Sequence, residues 1–193
     1  MDEYVFIQPL TLVPFDEEFF LRFVLRRHHA SSLHWDFRIE ANGILYSWFM
    51  RQPPMADPER PVWAGLAAPH NPRYMLSERY ILPGRPGAGP TIVEDLGTAK
   101  PLVKGYSSQD LALHESFLKG RIPLQMGGRT LKGGYVMERK SRHWQFRKLD
   151  DGYAIATPLN WTGISPISGK TLQDFIPKKQ RGDDDSGQLN FGY

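Results

Sequence analysis

Cysteine is absent from the 193 residues. That excludes a disulfide scaffold, a thiolate zinc site and a cysteine nucleophile, and it agrees with a reducing compartment. No apolar run approaches the roughly 18 residues needed to span a bilayer. The opening decapeptide, MDEYVFIQPL, has neither a basic n-region nor a long apolar h-region, so no secretory signal is expected. The expectation is a soluble cytoplasmic protein with no membrane partner. Excess charge is scarce too, at a net +3.

What is present is a core-forming composition. Hydrophobic residues make up 40% and aromatics 12%, which excludes wholesale disorder. The length suits one domain, which buries roughly 70% of its unfolded surface. Eighteen glycines and sixteen prolines imply many turns and few long helices.

The small net charge is unevenly placed. Residues 1–20 carry five acids and no base. Residues 121–150 carry eight bases against two acids, with Tyr135, Trp144 and Phe146 interleaved. A basic, aromatic stretch of this kind can follow a phosphate backbone. A solvated sheet face with alternating charge has the same composition.

Strands are expected at 20–28, 33–40, 44–50, 61–67, 91–95, 121–126, 130–139 and 143–149. Segment 33–40 alternates strictly: Leu33, Trp35, Phe37 and Ile39 point one way, His34, Asp36, Arg38 and Glu40 the other. Asn42-Gly43 follows as a hairpin turn signal. One helix is expected at 107–119, capped by Ser107 or Ser108 with Asp110 in its first turn. Long Gly/Pro-rich loops fall at 51–61 and 83–90. The fold class is mainly β: a small antiparallel barrel or sandwich with one or two short helices. The expected organisation is an acidic N-terminal arm at 1–19, a β domain at 20–159, and a C-terminal arm or flexible tail at 160–193.

The chemistry concentrates near the start of the β domain. His34 and Asp36 are two apart in an alternating strand and project from one face, with Arg38 following. His28 lies upstream across Ala30-Ser31-Ser32. If that connection reverses the chain, two imidazoles and a carboxylate converge as a facial metal set with open positions. His29 is the alternative to His28. Arg38, one pleat on, suits a bidentate grip on a phosphate. The same His-x-Asp pair with His114 or His143 would instead be the triad of a non-haem iron oxygenase.

The run from Phe23 to Trp48, FVLRRHHASSLHWDFRIEANGILYSW, resembles the opening of the 3′-phosphoesterase domain of DNA ligase D. The shared positions are His28, Ala30, Leu33, His34, Asp36, Phe37, Arg38, Glu40, Gly43, Leu45, Ser47 and Trp48. The likeness continues at His70 to Tyr74, Gly87-Ala88-Gly89, Thr91-Ile92-Val93, Leu131 to Tyr135 and His143 to Lys148, covering roughly residues 20–150. The resemblance implies a β-barrel metalloenzyme that removes 3′-phosphates and 3′-terminal ribonucleotides from DNA or primer ends, leaving a 3′-OH for ligation. It implies His28, His34 and Asp36 as ligands of one divalent ion, manganese before zinc or cobalt. It implies Arg38, His70 and Tyr74 at the scissile phosphate, with His70 as general acid or hydrogen-bond donor.

The family's supporting lysine is replaced by Gln52, its arginine before the histidine motif is missing, and Pro69 stands in place of an aspartate. An N-terminal Arg-Asp pair is not recognisable in residues 1–20. Arg51, Gln52 and Arg60 are the candidate substrate contacts in their place. The expected partners are DNA 3′ ends or a primer–template, and a separate ligase, polymerase or end-joining protein, which places the chain at the nucleoid. A DNA-end binding module with weakened catalysis is the alternative function, and the iron oxygenase is a third.

Overall fold

The alternation at 33–40 and the Asn-Gly pair resolve into a hairpin. In a computed structural model, which describes residues 20–178, β2 (Leu33–Ala41) and β3 (Ile44–Met50) pair antiparallel from Trp35↔Met50 to Ala41↔Ile44. Asn42 and Gly43 take φ of 52° and 71°, the paired left-handed conformation that matches the twist of the flanking strands. The acidic arm at 1–19 and the last residues, 179–193, lie outside the described residues.

Seven further strands follow the same logic: β1 (Leu21–His29), β4 (Val62–Leu66), β5 (Arg79–Ile81), β6 (Gly89–Pro101), β7 (Arg121–Gly128), β8 (Lys132–Lys140) and β9 (His143–Lys148). Their order is β1-β2-β3-β4-β9-β8-β7-β6, and β1 pairs with β6 to close an eight-stranded antiparallel barrel. β5 adds to β6 outside the ring. The expected β-barrel is therefore what the chain forms. β6 runs well past the expected 91–95, because Gly97 and Pro101 interrupt the alternation that marks a strand. β5 was not expected, since three residues carry no period.

One side of each strand fills the barrel. Phe23, Leu25, Trp35, Phe37, Trp48, Met50, Tyr135 and Phe146 are buried in a single cluster. Phe37 and Tyr135 both stack on Phe146, with ring centroids 5.1 and 4.9 Å away. Tyr135, Trp144 and Phe146 are thus core residues, which corrects the reading of 121–150 as an aromatic phosphate track. The other bases of β8 and β9 lie off the core positions, as on a solvated sheet face, whereas Lys148 turns inward and is buried, its Nζ donating to Gly134 O at 3.1 Å and to Asp151 Oδ1.

Helix α1 (Gln109–Lys119) is capped by Ser108, whose hydroxyl accepts from Leu111 N at 3.1 Å, and it stops at Gly120 with φ 75°. Its Leu113 enters the core and its Phe117 stacks on Trp144 at 5.6 Å. Residues 160–178 are fastened to the barrel. Gly163 N donates to Glu94 at 2.9 Å, Trp161 Nε1 donates to Pro54 O at 3.2 Å, and Leu172 is buried. Turns, isolated bonds between a side chain and the backbone, and one buried leucine make these attachments, so they leave no periodic trace in the sequence.

The outer face of β1, β2, β3 and β6 carries the functional side chains. A second small cluster, Val24, Leu45, Val93 and Met75, packs on this face and ties the 70–78 segment to it. His70 pairs its backbone with Leu45, N–H to O in both directions at 2.8 and 3.1 Å.

Candidate metal centre

Register decides which histidine is used. β1 and β2 pair antiparallel with His28 opposite His34 and Arg26 opposite Asp36, while His29 faces Leu33. The connection at 30–32 does reverse the chain, and it brings the His28 and His34 rings to 4.6 Å between centroids. His28 Nδ1 lies 3.7 Å from Asp36 Oδ2, and His34 Nε2 lies 3.6 Å from Asp36 Oδ1. One ligand atom from each of the three residues falls within 4.8 Å of the others.

The tautomers suit a cation. His28 Nε2 donates to Gly87 O at 2.8 Å and His34 Nδ1 donates to Ser32 O at 3.0 Å. A carbonyl only accepts, so each ring is protonated away from Asp36 and turns a lone pair toward it. Two neutral nitrogens and a carboxylate oxygen form a donor set able to hold one divalent ion. Gly87 is placed for this by φ +73°, and a Cβ there would stand 3.1 Å from His28 Cε1.

The charges favour the same state. Burial alone would raise the Asp36 carboxyl. The charges of Arg38 and Arg26, present whatever the histidine tautomers, oppose that and keep the carboxyl below its ordinary range. Burial pushes His34 below its usual range, so it is neutral near pH 7. Arg38, buried on the same face, bends back so that Nη2 donates to Asp36 Oδ2 at 3.3 Å.

His70 joins from the other side of β2–β3. Ser47 stands opposite Arg38 in register. Its hydroxyl donates to Leu45 O at 3.1 Å, so its oxygen accepts from His70 Nδ1 at 3.1 Å. Nε2 of neutral His70 then carries the lone pair. Burial and the nearby Arg38 charge lower the His70 pKa.

Tyr74 ends a short 3-10 turn at 72–74. Its hydroxyl accepts from Arg73 Nη2 at 2.7 Å, and its ring lies under the guanidiniums of Arg73 and Arg79 at 4.7 and 5.3 Å. Among the described residues, no hydrogen bond or ion pair joins Tyr74 to the triad. Arg51, Gln52 and Arg60 are exposed at and beyond the end of β3. Among the described residues, no hydrogen bond or ion pair joins their side chains to the triad. His114 bonds Tyr46 at 2.8 Å and His143 packs edge-on against Trp63, so neither completes a His34–Asp36 set. The iron-oxygenase constellation is not assembled.

Two side chains escaped the sequence reading. Arg26, 5% exposed, shares the outward face with His28 two residues away and donates to Ser77 O. Arg79 on β5 lies in one row with Thr91 and His28. The period-two rule that found His34 and Asp36 also reaches Arg26 from His28.

Comparison with known proteins supplies the family. The model of the DNA ligase D 3′-phosphoesterase domain matches residues 26–139, which contain the triad, Arg38, His70 and Tyr74. The chain belongs to this family. A multifunctional non-homologous end joining protein LigD of Pseudomonas aeruginosa is 33% identical over 139 residues, 69% of this chain. A multifunctional non-homologous end joining DNA repair protein LigD of Mycobacterium tuberculosis is 31% identical over 120 residues, 61% of this chain. These alignments cover only 16% and 14% of those two relatives. Family membership supports a role in processing DNA 3′ ends during repair. No helix among the described residues is long and apolar enough to cross a membrane.

Proposed function

We propose that this ligase D-type phosphoesterase domain is a metal-dependent hydrolase that heals DNA 3′ ends. It removes 3′-phosphates, 3′-terminal ribonucleotides or both, and leaves a 3′-OH. The observation that carries this reading is the paired orientation of His28 and His34, each donating to a carbonyl and turning its other nitrogen toward Asp36. One divalent ion, manganese first and zinc or cobalt next, is the proposed occupant. Bound there, it supplies Lewis-acid stabilisation of charge on the phosphoryl oxygens.

The chain's own groups do the rest. Arg38 binds the non-bridging oxygens and offsets the charge that develops on them. Neutral His70 accepts the proton of the attacking water at Nε2, and the departing oxygen, on the opposite side of phosphorus, takes its proton from solvent. Ser47 holds the ring in the tautomer this needs. Tyr74 orients the cations at the rim of the site. The proposed partner is a DNA 3′ end in a primer–template, with a ligase or polymerase activity acting next.

The test is release of inorganic phosphate, or of a terminal nucleotide, from 3′-modified primer–templates with manganese. Turnover that disappears in His34→Ala supports the hydrolase. Salt-dependent binding of the same DNA with no turnover under any divalent ion would leave only the end-binding alternative.

A further inference from the structure

The site holds more positive charge than its carboxylates match. Arg26, Arg38 and Arg79 influence one another electrostatically, and the carboxylates acting on them are Asp36 and Glu78. Two carboxylates thus stand against three guanidiniums: Asp36 belongs to the metal set, and Glu78 accepts from Val93 N at 2.8 Å through Oε1 while its buried Oε2 has no hydrogen-bond partner among the described residues. Arg26 is 5% exposed, yet its Nε has no hydrogen-bond partner among the described residues, and neither has the buried Nε of Arg38. A buried guanidinium with unused donors is costly unless an anion meets it. Arg79 is held from β5 with its guanidinium 5.3 Å from the Tyr74 ring.

We propose that Arg26 and Arg79, together with Arg38, form a three-guanidinium clamp that selects a terminal phosphomonoester over an internal phosphodiester. This rests on the hydrolase reading and names its substrate. The reason is charge and geometry. A phosphomonoester, with its second pKa near 6, carries about two negative charges at pH 7 to 8 and three terminal oxygens. A diester offers one charge and two such oxygens. Each arginine fork matches a pair of phosphate oxygens. The excess of cations over carboxylates is better met by the dianion. Hydrolysis then balances simply. The water oxygen bonds to phosphorus, and the P–O3′ bond breaks with its electron pair on O3′. O3′ takes its proton from solvent, while one water proton passes by way of His70 to solvent and the other stays on the released hydrogen phosphate.

The experiment compares kcat/KM on one primer–template ending in a 3′-phosphate or in a single ribonucleotide, for wild type, Arg79→Ala and Arg26→Gln, with manganese. Thermal unfolding of the metal-free proteins at pH 8, with inorganic phosphate or dimethyl phosphate, reads the clamp without turnover. The expected result is a wild-type preference for the 3′-phosphate that falls at least tenfold in Arg79→Ala. Phosphate, and not dimethyl phosphate, should raise the wild-type midpoint. If Arg26→Gln does not fold, Arg79→Ala decides, because its side chain is half-buried on an edge strand. Equal protection by both ions, or equal losses on both substrates in Arg79→Ala, overturns the clamp and leaves the hydrolase standing. Selective phosphate protection in a protein that cleaves neither end upholds the clamp and removes the hydrolase reading.

Discussion

His28 and His34 face each other across the β1–β2 pair, and each donates its spare N–H to a carbonyl outside the pair, Gly87 O and Ser32 O. Cross-strand register sets the distance between the rings, and the carbonyls set their tautomers. Losing either imidazole should therefore abolish a shared cation site without unfolding the barrel. His34→Ala and His28→Ala are expected to weaken manganese binding by well over the roughly 10–100-fold typical of outer partners. Calorimetric titration with manganese checks this, and phosphate release should fall in parallel.

Gly87 acts one step removed. Alanine there would hold a positive φ that costs about 1–2 kcal/mol, and its Cβ would crowd His28 Cε1. Gly87→Ala should lower stability by about that amount and weaken manganese binding about 10–100-fold. Urea denaturation and metal titration read the two effects separately.

The pH dependence follows from two histidines. In the folded chain His34 and His70 titrate below the ordinary 6.5, chiefly through burial. Just under pH 6.5 the unfolded chain binds protons that the folded chain does not, so stability rises with pH there. Metal-free protein should keep full stability above pH 6.5 and lose it as pH falls toward the folded-state values. Urea midpoints from pH 7.5 to 5 should show this slope, and the double variant His34→Asn, His70→Asn should flatten it.

Ser47 tests the tautomer of His70. Without its hydroxyl, His70 Nδ1 loses the acceptor at 3.1 Å. Ser47→Ala should lower kcat about tenfold, a loss within the range a general acid–base contributes, with manganese affinity unchanged. A shifted pH–rate profile separates this from a purely structural defect.

Asp95 supplies a contrast far from the chemistry. Its buried carboxylate accepts from the backbone N–H groups of Leu96, Arg129, Thr130 and Leu131 at 2.8–3.2 Å. Asp95→Ala should cost at least about 3 kcal/mol, given about 1–3 kcal/mol for each buried group left unpaired. Manganese affinity, measured below the unfolding midpoint, should not move.

Much of this was legible beforehand, for physical reasons. The β2–β3 hairpin announces itself because period-two alternation and an Asn-Gly turn are local, and Ser108 and Asp110 mark α1 in the same way. His28, His34 and Asp36 could be placed together once one reversal was assumed. Other parts are non-local. The Gly87 carbonyl is backbone, so no side-chain chemistry points to it. Arg79 sits on a three-residue strand without a period. Arg26 is hidden beside Arg27, which turns away to pair with Glu94 at 3.0 Å. Tyr74 is bound between arginines, a geometry set by a loop and not by its spacing from His70.

The most direct measurement is an anomalous difference map from a crystal soaked in manganese. One strong peak about 2 Å from His28 Nδ1, His34 Nε2 and an Asp36 oxygen, missing in His34→Ala, is the expected result. A wild-type map without a peak among those three atoms, in crystals of a protein that still releases phosphate from 3′-phosphate ends, would contradict the metal centre described above.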